Sequence, residues 1–493
     1  MSDRISQKEL ESYLWGGATL LRGSIDAGDY KSFIFPLLFL KRVSDVWDEE
    51  HAQAAADFGE DFDDEAFAEN HRFQIPKGHH WSDLRDVTTD VGSALQASMR
   101  AIESANGDRL YGIFGDAQWT NRERLPDSTL RDLVEHFSTV ELTLANVPED
   151  EFGQAYEYLV KRFADDSGHT AQEFYTNRTL VKLMTLMLDP QPGETVYDPT
   201  CGTGGMLLSA AVELRKQGKE YRNLGLYGQE MNLMTSSIAR MNLFLHGISD
   251  FEIERGDTLS EPKLLNGDKL RQFNVVLANP PYSIKQWDRE AWGSDRFGRN
   301  TLGTPPQGRA DYAFLQHIIA SMDKKNGRSA TLFPHGVLFR NEERDMRTKL
   351  IEEDLVDCVL GLGPGLFYNS PMEACVVFCR TDKPKAHKGK ILLINAVNDF
   401  ERKQAQSFLS EANIERIASA YEAFEDVVDF ARVVTQDEVA ANDHSLAMAL
   451  YVGLKSSTGD TPDLATAYTA WRESATEVRD AAEAALAALE DAV

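Results

Sequence analysis

The four residues Asn279, Pro280, Pro281 and Tyr282 combine groups that suit chemistry on an amine nitrogen. An exocyclic amine on a nucleobase is a poor nucleophile because its lone pair is conjugated with the ring. The side-chain oxygen of Asn279 and the carbonyl of Pro280 can accept hydrogen bonds from such an amine and hold its nitrogen in line with a methyl donor. Pro281 stiffens the loop, and the ring of Tyr282 can stack on a base that has swung out of its helix. The simpler alternative is a turn that the prolines only stiffen.

A second stretch, PTCGTGG over 199–205, has the composition of a ligand-binding loop. Gly202, Gly204 and Gly205 allow a tight turn and close approach of the backbone to a ligand. Asp198, which precedes the loop at the end of a predicted strand, suits a cationic amino-acid moiety better than a phosphate. Glycine turns also occur without any ligand, so the loop alone does not decide the question.

Two further acids end the next two predicted strands, Glu230 in GQE and Asp257 in RGD. Glu230 can accept hydrogen bonds from both hydroxyls of a ribose, and Asp257 can accept one from an adenine amino group. Each acid alone has a simpler role as a cap or turn residue. Three acids at three successive strand ends indicate S-adenosylmethionine, with Asp198 near its methionine part, Glu230 at its ribose and Asp257 at its adenine.

These residues need a scaffold that brings strand ends together, and the sequence between about 155 and 400 predicts one, because strand-length apolar runs alternate there with helical patterns as in βαβ units. The predicted strands are 194–198, 224–230, 251–257, 274–280, 329–334, 357–362, 373–380 and 390–396. Ligands bind at the carboxyl ends of the strands in such open α/β sheets. We therefore predict an α/β fold with a doubly wound, largely parallel, Rossmann-like sheet. We expect this sheet to end near Ala396 and to form the centre of an S-adenosylmethionine-dependent methyltransferase domain over 151–405.

Helical patterns dominate on both sides of this predicted sheet. Residues 1–150 predict an N-terminal helical domain, and residues 406–493 predict a C-terminal helical tail for subunit assembly. Apolar residues of the tail repeat with spacings of four and three, as in a coiled-coil seam. The seam consists of Leu464, Tyr468, Trp471, Ala475, Val478, Ala482, Ala485 and Leu489. It suits either a helix bundle between chains or a terminal helix that folds onto its own domain.

Composition and charge argue against several classes of protein. Hydrophobic residues make up 42% of the 493-residue chain, and no apolar run of about 18 residues predicts a membrane span. The amino terminus lacks an apolar signal core, so we expect a cytoplasmic protein. The net charge of −28 argues against a chain that binds nucleic acid without basic patches or a partner. The four cysteines lack the paired spacing of a zinc site and predict buried free thiols, and we expect no bound metal.

Several segments, in order along the chain, resemble those of the modification subunit of type I restriction–modification systems, an adenine-N6 DNA methyltransferase. They are LLRGSIDAGDYKSFIFPLLFLKRVSD, GHTAQEFYTNRTLVKLM, VYDPTCGTGGML, YGQE, NPPY, RADYAFLQH and LFPHGVLFR. The resemblance implies that residues 279–282 form the catalytic loop. It also implies cofactor contacts from Glu173, Phe174, Tyr175, Thr176, Asn177, Thr203, Gly204, Gly205 and Glu230. Asn177 departs from the proline that is usual in this family.

The resemblance also implies partners. We expect double-stranded DNA as the substrate, a specificity subunit that reads the sequence, and two modification subunits for each specificity subunit; a restriction subunit is possible. Two alternatives stay open at this point. A methyltransferase that acts on a protein glutamine amide also uses an NPPY loop, and a non-catalytic scaffold could keep the fold while coupling partners. Within RADYAFLQH, Arg309 and Asp311 suit an ion pair at the start of a helix.

Overall fold

The structure is a computed structural model that describes residues 4–59, 67, 71–166, 176–366, 373–403, 406–453 and 472. The α-helices are α1 (Gln7–Leu20), α2 (Tyr30–Phe58), α3 (Trp81–Arg85), α4 (Val91–Ala105), α5 (Asp127–Phe137), α6 (Glu149–Asp166), α7 (Arg178–Leu188), α8 (Gly205–Lys216), α9 (Leu233–Leu245), α10 (Arg289–Gly293), α11 (Asp311–Ser321), α12 (Arg344–Glu352), α13 (Glu411–Ala423) and α14 (Gln436–Ala441). The strands are β1 (Thr195–Asp198), β2 (Gly225–Glu230), β3 (Phe251–Arg255), β4 (Leu265–Asn266), β5 (Lys269–Leu270), β6 (Val275–Ala278), β7 (Arg328–Pro334), β8 (Val356–Leu362), β9 (Ala374–Arg380), β10 (Lys390–Ala396), β11 (Glu401–Lys403), β12 (Gln406–Phe408) and β13 (Ala431–Thr435).

The N-terminal part is helical, as predicted. Ser6 begins α1 with a capping box, in which its side chain accepts from the amide of Glu9 and the Glu9 carboxylate accepts from the amide of Ser6. A single hydrophobic cluster joins α1 to α6 with α9, so that Phe39 of α2 packs against Phe244 of α9 with ring centroids 6.3 Å apart. Because α9 follows β2, this shared core fixes the N-terminal helices against the sheet.

Nine strands form one sheet in the order β13-β10-β8-β9-β7-β6-β1-β2-β3. Only β9 and β13 run antiparallel to their neighbours in this sheet, so the prediction of a doubly wound, largely parallel sheet is confirmed. All eight predicted strands are present within it. Apolar residues alternate between the two faces of the strands and pack under helices on both sides, which gives three layers.

The predicted end of the sheet near Ala396 is wrong. Strand β13 pairs antiparallel with β10, so that Ile391 lies opposite Val434, and Ile414 and Ile417 of α13 pack in the hydrophobic cluster on one face of the sheet. A domain boundary at residue 405 would therefore separate β13 from the sheet to which it belongs and α13 from the sheet face that it covers. The coiled-coil seam over 464–489 lies outside the described residues.

The strand order positions the predicted site. β1 lies between β2 and β6, with Val196 opposite Leu226 on one side and Val275 on the other. The chain runs outward from β1 through β2 to β3 in one direction and from β6 to β7 in the other. The carboxyl ends of β1 and β6 therefore form a topological switch point, where ligands bind in open α/β sheets.

Three further findings concern the cysteines, metal binding and the character of the helices. The four cysteines are buried, in agreement with the prediction. Within the described residues, no group of three or more histidine, cysteine, aspartate and glutamate side chains is arranged to hold a metal ion. The helices that can be described also include none with the length and apolar character that crossing a membrane requires.

Candidate active site

The glycine loop after β1 is held by its own backbone and by β2. Gly202 and Gly204 adopt φ angles of 54° and 79°, the left-handed region that favours glycine. The amide of Gly204 donates to the carbonyl of Cys201 at 2.8 Å, and the amide of Cys201 donates to the carbonyl of Gln229 in β2 at 2.9 Å. Thr203 is buried, and its carbonyl accepts from the side chain of Asn242 in α9 at 3.0 Å. The glycine loop is thus a fixed turn that follows β1 and is hydrogen-bonded to the end of β2.

Gly205 has a packing role that the sequence did not reveal. A Cβ atom at this position would lie 1.6 Å from Nη1 of Arg178, the first residue of α7. Arg178 also forms an ion pair with Glu157 of α6. The missing side chain at Gly205 therefore makes room for a guanidinium group, and any cofactor contact there has to use the backbone.

The two acids nearest the glycine loop differ in their surroundings. The Glu230 carboxylate accepts from the amide of Gly202 at 3.1 Å and from the amide of Asn232 at 2.8 Å. Asp198 is only 2% exposed and accepts from the amide of Thr200 at 3.0 Å. Burial, aided by the charge of Glu230, raises the pKa of Asp198 to about 8, although the hydrogen bond from Thr200 opposes this shift. A cation placed beside Asp198 would favour its ionised form.

Asp257 lies at the edge of a cavity of about 280 Å³ between the turn after β3 and residues 288–299. Its carboxylate accepts from the amide of Leu259 at 2.9 Å. Arg299, which is buried, donates to the carbonyls of Thr258 at 3.0 Å and of Leu259 at 2.7 Å. It therefore fixes the backbone of the same turn. The acid therefore stands on a rigid turn beside open space.

Met231 is a residue that sequence reasoning missed. It directly follows Glu230 and is 68% exposed, although methionine is usually buried. A polarizable thioether beside the acid of β2 can pack on a flat aromatic ring. The available signal was its position immediately after an acid at a strand end, but nothing in the local sequence distinguishes an exposed methionine from a buried one.

The NPPY loop begins directly after β6. The side-chain nitrogen of Asn279 donates to the hydroxyl of Thr176 at 3.0 Å, and its oxygen Oδ1 accepts from the hydroxyl of Tyr282. Pro280 is buried and Pro281 is half-buried. The ring of Tyr282 is half-buried against the hydrophobic cluster on one face of the sheet, and burial raises the pKa of its hydroxyl. The oxygen that could accept from a target amine therefore already accepts one hydrogen bond within the loop.

The predicted cofactor-covering segment is described only in part. Glu173, Phe174 and Tyr175 lie outside the described residues. Thr176 contacts Asn279 of the NPPY loop. The side chain of Asn177 accepts from the amide of Thr179 at 3.0 Å and donates to the carbonyl of Ser407 at 2.9 Å. Asn177 therefore caps α7 and ties it to the hairpin of β11 and β12, which supplies the anchoring that a proline would give through stiffness.

The structure thus brings together the ends of four neighbouring strands. Asp198 and Glu230 meet at the glycine loop, Asp257 stands at the end of the next strand, and Asn279 follows β6 on the other side of β1. A cavity of about 1100 Å³, larger than the one beside Asp257, lies elsewhere, between the hairpin of β4 and β5 and the end of α11. None of the predicted site residues lines this larger cavity.

Two families match the chain. The family described as N-6 DNA Methylase matches residues 147–460, and the family described as HsdM N-terminal domain matches residues 10–137. The first match contains the whole sheet with the glycine loop and the NPPY loop. The second match covers most of α1 and all of α2 to α5.

Individual relatives agree with these matches. The type I restriction enzyme MjaVIII methylase subunit of Methanocaldococcus jannaschii is 30% identical, over 91% of this chain and 79% of its own length. The MjaIX methylase subunit of the same organism is 28% identical, over 91% and 84%. A crystal structure of the type I restriction-modification system methyltransferase subunit from Streptococcus thermophilus superimposes with a TM-score of 0.79 at 28% identity, over 91% of this chain and 100% of that one.

Proposed function

The chain belongs to the N-6 DNA methylase family, and we propose that the strand ends of β1, β2, β3 and β6 form its methyl-transfer site for the N6 amine of adenine in DNA. Its relatives are methylase subunits of type I restriction enzymes, which favours this function over a glutamine-amide methyltransferase or a scaffold. The observation that carries the proposal is the adjacency of β1 and β6. It places the glycine loop and Asn279 on the same sheet edge, on neighbouring strands.

The residues at this edge fit S-adenosylmethionine. Asp198 is a buried acid that suits a cationic amino-acid moiety, and the left-handed turns at Gly202 and Gly204 leave the loop without side chains that would block a ligand. Glu230 can accept from ribose hydroxyls, while Met231 can pack on the adenine ring and Asp257 can accept from its amino group. When bound, S-adenosylmethionine supplies an electrophilic methyl group.

Asn279 and Pro280 provide the acceptors for the target amine. Two hydrogen-bond acceptors can hold both hydrogens of the N6 amine and so direct its nitrogen towards the donor. The hydroxyl of Tyr282 donates to Oδ1 of Asn279, so it competes with the base for one of the two acceptor positions of that oxygen. The ring of Tyr282 can stack on the base.

The family relationship also supports an assembly. Relatives named as methylase subunits imply other subunits, and a net charge of −28 gives this chain little attraction for DNA of its own. We infer that a specificity subunit reads the DNA sequence, that two copies of this chain serve each specificity subunit, and that a restriction subunit can join the complex.

Identification of the product tests this function. The chain is purified with its co-purifying subunits from the native source and incubated with methyl-labelled S-adenosylmethionine, with duplex DNA and, separately, with a protein fraction. We expect label in N6-methyladenine after nuclease digestion. Label in methylglutamine and none in adenine would favour the glutamine-amide alternative, and no label with no cofactor binding would favour the scaffold.

A further inference from the structure

A strained residue directly follows the NPPY loop. Ser283 has a φ of 52°, in the left-handed region that residues other than glycine seldom adopt. Such a conformation costs on the order of 1–2 kcal/mol and persists only where the surroundings hold it. Since Ser283 is bonded to Tyr282, its backbone angles set the direction in which the chain leaves the catalytic loop.

Asp311 is the group that holds Ser283. Its Oδ1 accepts from the amide of Ser283 at 2.9 Å, across 28 residues of sequence. Asp311 is the first residue of α11 and is only 1% exposed, so the acceptor of this bond is shielded from water while the donor residue Ser283 lies at the surface. A buried charged acceptor makes a stronger hydrogen bond than a neutral one on the surface.

Asp311 is in turn fixed by Arg340, which follows β7. Nη2 of Arg340 donates to Oδ2 of Asp311 at 2.8 Å, and Nε of Arg340 donates to Glu343 at 2.8 Å. Glu343 is fully buried (0% exposed), and burial raises its pKa to about 7. One arginine therefore bridges two buried carboxylates, and the arrangement leaves each oxygen of Asp311 with one partner.

This pairing differs from the one that the sequence indicated. Arg309 donates to Glu342 at 3.1 Å at the surface, so the expected ion pair between Arg309 and Asp311 is wrong. Asp311 instead links the segments RADYAFLQH and LFPHGVLFR to the residue after NPPY. A carboxylate that served only as a favourable charge at the start of α11 would not need these two directed bonds.

We propose that Asp311, oriented by Arg340, is a positioning residue for methyl transfer, because it holds Ser283 in its left-handed conformation and thereby sets the placement of Tyr282 and Asn279. This inference rests on the proposed function of the NPPY loop. Asp311 touches neither cofactor nor base in this account. Its loss therefore lowers the rate of the chemical step while leaving cofactor binding in place.

A suppressor experiment separates positioning from simple packing. Asp311→Ala and the near-isosteric Asp311→Asn are prepared in the full chain with its co-purifying subunits, each alone and combined with Ser283→Gly. Glycine adopts the left-handed region without strain, so it reduces the need for Asp311. The single-turnover methyl-transfer rate on duplex DNA and the cofactor Kd are measured for every variant, with Arg344→Ala, which breaks an exposed ion pair to Asp443, as the control.

We expect Asp311→Ala to lower the rate by about 10- to 100-fold, the range that small misplacements of a catalytic group produce. Asp311→Asn should show a smaller loss, since its side-chain oxygen still reaches Ser283, and the cofactor Kd should stay unchanged. Ser283→Gly should recover a substantial part of both losses. An unchanged rate in both single variants, or losses that Ser283→Gly does not recover, would overturn the inference. Wild-type protein that makes no N6-methyladenine would instead contradict the proposed function.

Discussion

The hydrogen bonds of one side chain, Asn279, govern what the NPPY loop can do. Thr176 holds its nitrogen and Tyr282 covers its oxygen, so the amide is oriented before any base arrives. If the loop acts as we propose, the ring and the hydroxyl of Tyr282 should have opposite effects on catalysis. The ring offers a stacking surface for the base, whereas the hydroxyl competes with the target amine for the same oxygen.

Substitutions at Tyr282 should separate these two effects. Tyr282→Phe keeps the ring and removes the competing hydroxyl, so we expect a single-turnover rate equal to wild type or a few-fold higher. Tyr282→Ala should weaken binding of the extruded base, since stacking contributes about 1–3 kcal/mol per base. Quenched-flow rates and DNA titrations measure both. A loss of more than about tenfold in Tyr282→Phe, equivalent to roughly 1.4 kcal/mol, would mean that the hydroxyl takes part in the reaction.

Glu230 offers a test of the cofactor side. Its carboxylate accepts from the amides of Gly202 and Asn232, and we propose that it also accepts from the ribose of the cofactor. Hydrogen bonds to charged groups contribute about 1.5–3 kcal/mol. Glu230→Ala should therefore raise the Kd for S-adenosylmethionine by about 10- to 100-fold in calorimetry. Glu252→Ala, which removes an exposed acid paired with Arg271, is the matched control. Equal affinity in the two variants would place the ribose elsewhere.

Among the secondary-structure elements, the junction of α6, α7 and α8 connects the N-terminal helices to the glycine loop. Glu157 of α6 pairs with Arg178 of α7, and the guanidinium of Arg178 fills the space beside Gly205 at the start of α8. Three successive helices thus meet at one glycine. This contact requires a glycine at position 205 whether or not a ligand touches its backbone.

Gly205→Ala tests that junction. The added Cβ would meet Arg178 at 1.6 Å, so the guanidinium has to move and strain its pair with Glu157. Overpacking of this kind typically costs about 1–3 kcal/mol, and we expect a matching drop in the free energy of unfolding measured with urea. Gly293→Ala, where a Cβ meets no atom within 4 Å, is the control. If the two variants have the same stability, Arg178 can adjust freely and the junction has no strict packing requirement.

The sequence predicted the elements of the sheet better than the contacts between them. Eight strands could be predicted from the sequence because each is a short apolar run bounded by turn residues. Strand β13 was not predicted. It is half-exposed at the edge of the sheet, and a hairpin and a helix separate it in sequence from β10, with which it pairs. Two contacts could not be predicted because their chain segments meet only in the folded protein. Arg309 pairs with Glu342 and not with Asp311, and Gly205 packs against Arg178.

The whole chain carries a net charge of −28, and its relatives are subunits of larger enzymes. Both facts favour an enzyme that depends on a partner to find its DNA. The predicted coiled-coil seam over 464–489 is the segment that we propose for this docking. The alternative, a tail folded on its own domain, makes a different prediction for assembly.

Removal or disruption of the seam distinguishes the two. A chain that ends at Gly459 should bind cofactor but fail to co-purify with the specificity subunit, and Trp471→Asp should behave in the same way because a charge is costly in a buried seam. Thr466→Asp, which adds the same charge off the seam, should assemble normally. Size-exclusion chromatography with light scattering measures the outcome. Normal assembly of both the truncated chain and Trp471→Asp would mean that the tail faces its own domain.

The most direct test of the account compares chemistry and cofactor binding in Asn279→Ala. Removal of a group that orients a reacting amine should lower the single-turnover methyl-transfer rate by about 10²- to 10⁴-fold, while the Kd for S-adenosylmethionine stays within about twofold of wild type. Asn326→Ala, at the opposite edge of the sheet, should leave both quantities unchanged. Methyl transfer by Asn279→Ala at the wild-type rate would contradict the assignment of the NPPY loop as the catalytic site.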